Sequence, residues 1–238
     1  MKNVLYYKFM KLQDLEKLQS NHENVCKKLN LLGKVILAPE GINGCLSGEE
    51  KNIEAYVKFI KKEFSIKDID IKITNTKEHN FRKLWIKIKL QIIGTKNWDA
   101  NIENTADYIE PSELKKLLDN KEEVYIIDAR NNYEYDSGHF SNALYPNIKT
   151  FSVFHDLIKD LEHLKDKQIV TYCTGGIRCE KASAFLKENG FTNVKQLHGG
   201  VINYAKKNGS SHWEGKCLVF DNRNELDMND IKNSSDLE

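Results

Sequence analysis

The chain has 238 residues, 40% hydrophobic and 30% charged, with a net charge of +1, a balance that suits one or two ordinary folded cores. No run approaches the roughly 18 apolar residues of a membrane helix, and the opening Met1-Lys2-Asn3-Val4-Leu5 lacks a long apolar stretch and a small-residue cleavage site, so neither a membrane span nor a secretory leader is expected. The five cysteines (Cys26, Cys45, Cys173, Cys179 and Cys217) are an odd, scattered set rather than a disulfide framework, which together with the missing leader predicts a cytoplasmic protein.

The near-zero charge conceals an asymmetry: residues 1–99 hold 19 Lys+Arg against 12 Asp+Glu, and residues 100–238 hold 17 against 23. A basic half joined to an acidic one suggests an anionic partner, nucleic acid being the commonest large one, although lysines such as Lys58, Lys61 and Lys62 also serve simply to solvate a helix face.

In chain order, residues 4–9 are aromatic and branched and predict a strand, and Leu12, Leu15, Leu18, Val25 and Leu29 mark an amphipathic helix ending near Gly33. A second strand is expected over 34–38 and, after the turn Pro39-Glu40-Gly41-Ile42-Asn43-Gly44, a third over 44–46. Ser47-Gly48-Glu49-Glu50 opens a helix running to about Phe64, and residues 69–73 alternate as a half-buried strand does. The order β-α-β-β-α-β is that of a ferredoxin-like sandwich. Glu40 and Asn43 are candidates to touch a ligand because glycines admit close approach, yet turn chemistry alone also accounts for Gly41, Asn43 and Gly44. After Phe81-Arg82-Lys83-Leu84-Trp85, residues 86–93 read as a strand with a basic side, and residues 96–109 read as a linker.

Pro111 begins a helix with Leu114, Leu117 and Leu118 as its buried stripe, and residues 124–128 form the continuous apolar run of a parallel strand covered on both faces. Asp128 and Arg130 close that strand, on the edge where open α/β sheets build their sites; the plainer reading is a structural ion pair or a cap involving Glu134. Tyr133-Glu134-Tyr135 leads into a turn region at Gly138-His139-Phe140, Ala143 and Pro146, followed by helical spacing over 151–164. A strand over 169–172, a helix over 182–189 stopped by Gly190, a strand over 194–197 and a helix from Val201 complete a parallel α/β sheet. Trp213 to Asp221 closes the ordered part, and residues 224–238 are expected to be a flexible tail.

The strongest chemical signal is Cys173-Thr174-Gly175-Gly176-Ile177-Arg178-Cys179-Glu180-Lys181, where an apolar strand ends in a thiol, turns on two glycines and begins a helix. Backbone N–H groups from Thr174 to Cys179, the helix dipole and Arg178 all favour negative charge at the sulfur. A cysteine so placed has its pKa lowered from about 8.5 to roughly 3.5–7.5, which makes Cys173 the candidate nucleophile. A lone strand-end cysteine is usually a small hydrophobe, but two glycines, an arginine and a helix start within one turn argue against that here. A Cys173/Cys179 metal pair is disfavoured because the spacing is not Cys-x2-Cys and no second pair lies nearby, so no metal is expected.

The block Asp128-Ala129-Arg130, Tyr133-Glu134, Gly138-His139, Cys173 to Arg178 and Gly199-Gly200 resembles a rhodanese domain, in which the loop cysteine carries a persulfide. The full run to Lys181 is similar to the rhodanese-type tRNA uridine hydroxylases, which also place a ferredoxin-like (acylphosphatase-like) domain first. Further matches are Ala38 to Gly44, Phe81-Arg82-Lys83-Leu84, Trp213-Glu214-Gly215-Lys216-Cys217 and Val219-Phe220-Asp221. The resemblance implies a ferredoxin-like α+β domain over 1–95 that binds tRNA, a linker over 96–109, and a rhodanese-like parallel-sheet α/β catalytic domain over 110–223.

It also implies oxygen-dependent hydroxylation of the wobble uridine, tRNA position 34, at carbon 5. Cys173 and Arg178 then carry the chemistry, and Thr174, Gly175, Gly176, Ile177 and Cys179 supply the loop. Asp128, Arg130, Glu180 and Lys181 support it, and Lys83, Lys87 and Lys89 contact the anticodon loop. Longer members of the family continue past the Phe-Asp-x-Arg segment into a cysteine-containing extension, whereas this chain ends 15 residues after Arg223. No flavin or dinucleotide fingerprint is present, so molecular oxygen as co-substrate is the only small partner expected. Three rival readings are a plain sulfurtransferase using Cys173 as a persulfide carrier, a non-enzymatic tRNA-binding module, and a cysteine-loop phosphatase. The phosphatase pattern needs one residue more than the six from Cys173 through Arg178. The sequence assigns no oligomeric state.

Overall fold

A computed structural model describes residues 1–67 and 69–237. The chain divides into two compact units, one of residues 1–93 with Phe220–Arg223 and the chain from Ser234, the other of residues 94–219 with 224–233. Among the described residues no helix is long and apolar enough to cross a membrane.

The first unit runs β1 (Lys2–Phe9), α1 (Leu15–Lys28), β2 (Leu32–Ala38), β3 (Gly41–Gly48), α2 (Glu50–Glu63), β4 (Asp70–Asn75) and β5 (Leu84–Ile88). Its sheet has the order β4-β1-β3-β2-β5, antiparallel except between β2 and β5. This is the ferredoxin-like arrangement with a fifth strand added at one edge. Alternation puts Val4, Tyr6, Val35, Leu37, Ile42, Leu46, Ile73 and Ile86 on one face, where they pack with Ile53, Tyr56, Val57 and Ile60 of α2 and Cys26 of α1. A buried polar chain crosses this core: the Tyr6 and Tyr56 hydroxyls lie 2.6 Å apart, and His22 Nδ1 is 2.9 Å from the Tyr56 hydroxyl.

The strand-like run 86–93 is cut short. β5 ends at Ile88 and the chain turns so that Ile92 is buried, held by Glu40 Oε1 accepting from its N–H at 2.7 Å and by Asn43 Nδ2 donating to its carbonyl at 3.1 Å. Glu40 and Asn43 therefore act here as a clamp on backbone, using both polar groups of one residue. Gly41 (φ +147°) is required beside them because a Cβ there would lie 2.1 Å from the Lys8 carbonyl.

The second unit runs β6 (Asp107–Ile109), α3 (Pro111–Asp119), β7 (Tyr125–Asp128), α4 (Asn132–Ser137), β8 (Gly138–Phe140) and β9 (Ala143–Leu144). It continues through a helical stretch containing α5 (Ile158–Leu161), then β10 (Gln168–Tyr172), α6 (Ile177–Glu188), β11 (Asn193–Leu197) and α7 (Gly200–Asn208). β12 (Trp213–Gly215), β13 (Cys217–Leu218), β14 (Glu225–Leu226) and α8 (Met228–Lys232) close it. The main sheet, β6-β11-β10-β7-β9, is parallel throughout.

Three expectations need correction. Residues 96–109 are not simply a linker, because β6 pairs with β11 and a 3-10 turn at Ile102–Asn104 precedes it. Glu180 anchors this stretch, accepting from the Thr105 hydroxyl at 2.9 Å and the Tyr108 hydroxyl at 2.6 Å. Of the tail expected over 224–238, residue 238 lies outside the described residues and 224–237 are not featureless: Asp227 caps α8 by accepting from the Asn229 N–H at 2.8 Å, and Met228 and Ile231, three apart, are both buried. The turn region over 138–146 holds two short strands, β8 and β9, and the segment leading into it is a helix, α4, stabilised by a capping box between Asn131 and Glu134.

Candidate active site

β10 delivers Cys173 to the C-terminal edge of the parallel sheet, and the left-handed turn at Gly176 (φ +100°) reverses the chain into α6. Because α6 starts at Ile177, earlier than its apolar spacing indicates, Arg178 and Cys179 lie in its first turn. The Gly176 N–H donates to Cys173 Sγ at 3.1 Å. The start of α7 holds the loop from behind, with the Val201 N–H donating to the Cys173 carbonyl at 2.9 Å and the Ile202 N–H to the Thr174 carbonyl at 3.1 Å. Gly200 (φ +65°) makes this approach possible, since a Cβ there would stand 2.4 Å from the Cys173 carbonyl oxygen. Of residues 173–179 only Ile177 is not buried.

Burial by itself pushes the Cys173 thiol up. The Cys179 side chain, the Arg178 guanidinium and the backbone N–H groups of Arg178 and Gly176 outweigh it and hold the thiol down at about 5. Cys179 moves the other way, raised by its own burial and by its hydrogen bond to Cys173. Of this neighbouring pair Cys173 is the thiolate at neutral pH, and Cys179 is the proton-bearing partner that hydrogen-bonds to it.

Arg178 is in turn fixed by Glu134. Its Nη1 donates to Glu134 Oε2 at 2.7 Å and its Nη2 to Oε1 at 2.8 Å, a bidentate fork in which both side chains are buried. Burial raises the Glu134 carboxyl, and the Arg178 guanidinium outweighs that and holds it below its ordinary value. Thr174 Oγ1 donates to Glu134 Oε1 and accepts from Arg178 Nη2, both at 3.3 Å. Glu134 is the residue that sequence reasoning missed as part of the site. The signal for it was the Asn131-x-x-Glu134 capping box, which buries a carboxylate near the β7 strand end.

Asp128 and Arg130 turn to each other instead of toward the sulfur. Arg130 Nε donates to both Asp128 oxygens at 2.9 and 3.0 Å and Nη2 to Oδ2 at 2.6 Å, with further bonds to the Gly138 carbonyl at 2.7 Å and the Tyr172 hydroxyl at 3.4 Å. The guanidinium lies 5.2 Å from the ring centres of Tyr172 and Trp213, which gives Trp213 of the Trp-Glu-Gly segment its place. Glu180 and Lys181 bond to partners outside the loop. Glu180 binds Thr105, Tyr108 and Gln196, and Lys181, fully buried, reaches Asp99 at 3.2 Å.

Lys83, Lys87 and Lys89 all belong to the first unit. The Lys83 carbonyl accepts from the Gly33 N–H at 3.1 Å, Lys87 lies on the edge strand β5 with its Nζ 4.4 Å above the Trp85 ring, and the Lys89 N–H donates to the Leu37 carbonyl at 2.9 Å.

Residues 1–92 match the UPF0176 acylphosphatase-like domain and residues 110–207 the rhodanese-like domain. The tRNA uridine(34) hydroxylase of Cytophaga hutchinsonii is 40% identical over 233 residues, covering 97% of this chain and 74% of that one. The enzyme of the same name from Enterococcus faecalis is 42% identical over 235 residues, 96% of this chain and 73% of its own. Among solved structures, the rhodanese-like domain of an Anabaena protein overlaps 47% of this chain and 80% of its own, at 24% identity and a TM-score of 0.40. By the two family matches the second unit holds a rhodanese-like domain following an acylphosphatase-like one, and with relatives 40–42% identical along almost its whole length the chain belongs to the tRNA uridine(34) hydroxylase family.

Proposed function

We propose that this chain hydroxylates carbon 5 of the wobble uridine of tRNA, with Cys173 as nucleophile and molecular oxygen as co-substrate. The observation that carries the reading is the geometry of the Cys173 loop, with the Gly176 N–H donating to Sγ at 3.1 Å and Arg178 in the first turn of α6, an arrangement in which Cys179, Arg178 and the loop N–H groups lower the thiol against the effect of burial. A thiolate adds to carbon 6 of a uracil, forming an S–C bond and moving the ring double-bond electrons to carbon 5. Carbon 5 is then oxygenated: one atom of dioxygen stays, and the other leaves as water with two protons and two electrons drawn from a thiol-class reductant. Loss of the carbon 5 proton expels Cys173 and restores the double bond. Because the sulfur is buried at rest, the loop's surroundings must open for the base to enter. The names of the relatives support the substrate, and the basic first unit supports an RNA partner.

The test is nucleoside mass spectrometry of tRNA from cells whose only copy is the Cys173→Ala variant. Loss of 5-hydroxyuridine-type nucleosides is expected, and undiminished hydroxylation would remove Cys173 from the mechanism. The same thiolate also suits a persulfide carrier, a reading favoured by the rhodanese-like domain itself. Vigorous thiocyanate production from thiosulfate and cyanide, with tRNA nucleosides unchanged, selects that alternative.

A further inference from the structure

The edge strand β5 presents a surface that the hydroxylation chemistry leaves unused. Ile86 points into the core, so Trp85 and Lys87 point to the opposite face, where Trp85 is 49% exposed. In the parallel register Trp85 stands opposite Lys34 of β2, and Leu90, 91% exposed, follows just past the strand end.

Lysines on an edge strand have a common purpose, blocking edge-to-edge pairing. That purpose gives no reason for a half-exposed tryptophan among them. Lys87 lies over one face of the indole, 4.4 Å from its ring, and among the described residues no aromatic ring packs against the other face. Lys34, Lys87 and Lys89 make no ion pair among the described residues, and they feel one another: burial, then Lys89 and Lys87, lower the Lys34 ammonium from its ordinary value. Concentrated positive charge with no ion pair among the described residues, around a half-exposed indole, complements a phosphate backbone carrying an unstacked base.

We propose that Trp85 is a stacking seat for one unpaired base of an RNA loop, with Lys34, Lys87 and Lys89 holding the adjoining phosphates. This rests on the tRNA reading above and adds to it the first unit's base-contacting residue. Lys87 over one face of the ring steadies the indole, whose exposed half would receive the base.

The experiment measures binding of the full chain to a labelled anticodon stem-loop RNA and to the same RNA with abasic loop nucleotides, using wild type, Trp85→Ala and Trp85→Phe. Thermal midpoints confirm that each variant folds. Trp85→Ala is expected to weaken stem-loop binding by roughly five- to 150-fold, the usual range for one base–aromatic stack. It should leave the abasic RNA unaffected, and Trp85→Phe should recover most of the loss. Unchanged affinity in Trp85→Ala beside a wild type that binds overturns the seat and leaves the tRNA reading standing. A wild type that binds neither RNA overturns both. A Trp85-dependent dimer in sedimentation, with RNA affinity unmoved, assigns the edge to a second copy of the chain and also overturns the seat.

Discussion

Glu134 receives both terminal nitrogens of Arg178, at 2.7 and 2.8 Å, from a position where its side chain is wholly shielded from water. The fork immobilises the one arginine whose charge helps keep Cys173 ionised, so the carboxylate governs the sulfur through a residue between them.

Glu134→Gln keeps a hydrogen-bonding side chain against Arg178 but removes the negative charge beside it, so it should lower the Cys173 titration midpoint below about 5 and destabilise the second unit, because removing one partner of a buried ion pair costs on the order of 3–5 kcal/mol. The rate of iodoacetamide labelling at the Cys173 peptide against pH, read by mass spectrometry, measures the first effect, and urea unfolding measures the second. A labelling profile identical to wild type would separate Glu134 from the thiol.

Gly200→Ala tests the loop's backing. The left-handed backbone alone costs a non-glycine residue roughly 1–2 kcal/mol, and the added Cβ would also meet the Cys173 carbonyl at 2.4 Å. Gly190→Ala is the matched control, since its φ of +87° is also left-handed but no atom lies within 4 Å of the new Cβ. We expect Gly200→Ala to lose more stability in urea than Gly190→Ala, and only Gly200→Ala to shift Cys173 labelling toward higher pH.

His22 predicts an acid weakness in the first unit. Burial lowers its imidazole to about 4 from an ordinary value of 6.5. The unfolded chain takes up a proton as pH falls through 6.5 and the folded chain refuses it until about 4, so stability is full above that window and declines across it. At 1.36 kcal/mol per pKa unit the loss amounts to about 3 kcal/mol. Urea midpoints should fall between neutral pH and the lower end of the window in wild type, and fall less in His22→Gln.

How much of this was readable beforehand follows from the range of each interaction. The Cys173 loop was legible because its parts are adjacent in sequence: strand, thiol, two glycines, arginine, helix. The ferredoxin-like order was legible from the alternation of residues such as Ile71 and Ile73. Glu134 was passed over as a site residue because its partner Arg178 lies 44 positions away, and nothing local distinguishes a carboxylate that caps from one that also braces an arginine. β6 escaped notice for a similar reason: it has 3 residues and is a strand only because β11 and Glu180 are there to receive it. For Asp128 and Arg130 the sequence leaves a role at the sheet edge and a structural ion pair both open, and the side-chain geometry is the ion pair.

The lysines of the first unit provide the last prediction. Reversing Lys83, Lys87 and Lys89 together to glutamate should weaken tRNA binding and flatten its salt dependence, because a phosphate that no longer meets a lysine keeps its condensed counterions. At about 0.7 per phosphate neutralised on a single strand, the slope of log affinity against log salt should shrink by roughly 2 if all three lysines touch phosphate. Filter binding of a full-length tRNA over a salt series measures it, and a parallel displacement with an unchanged slope would mean that the lysines act through fold stability instead. The outcome differs in kind from that of Trp85→Ala, which removes a stacking surface and leaves the charge count alone, so its salt slope should stay at the wild-type value while affinity drops. A triple reversal that leaves both slope and affinity intact would place the RNA on some surface other than β5.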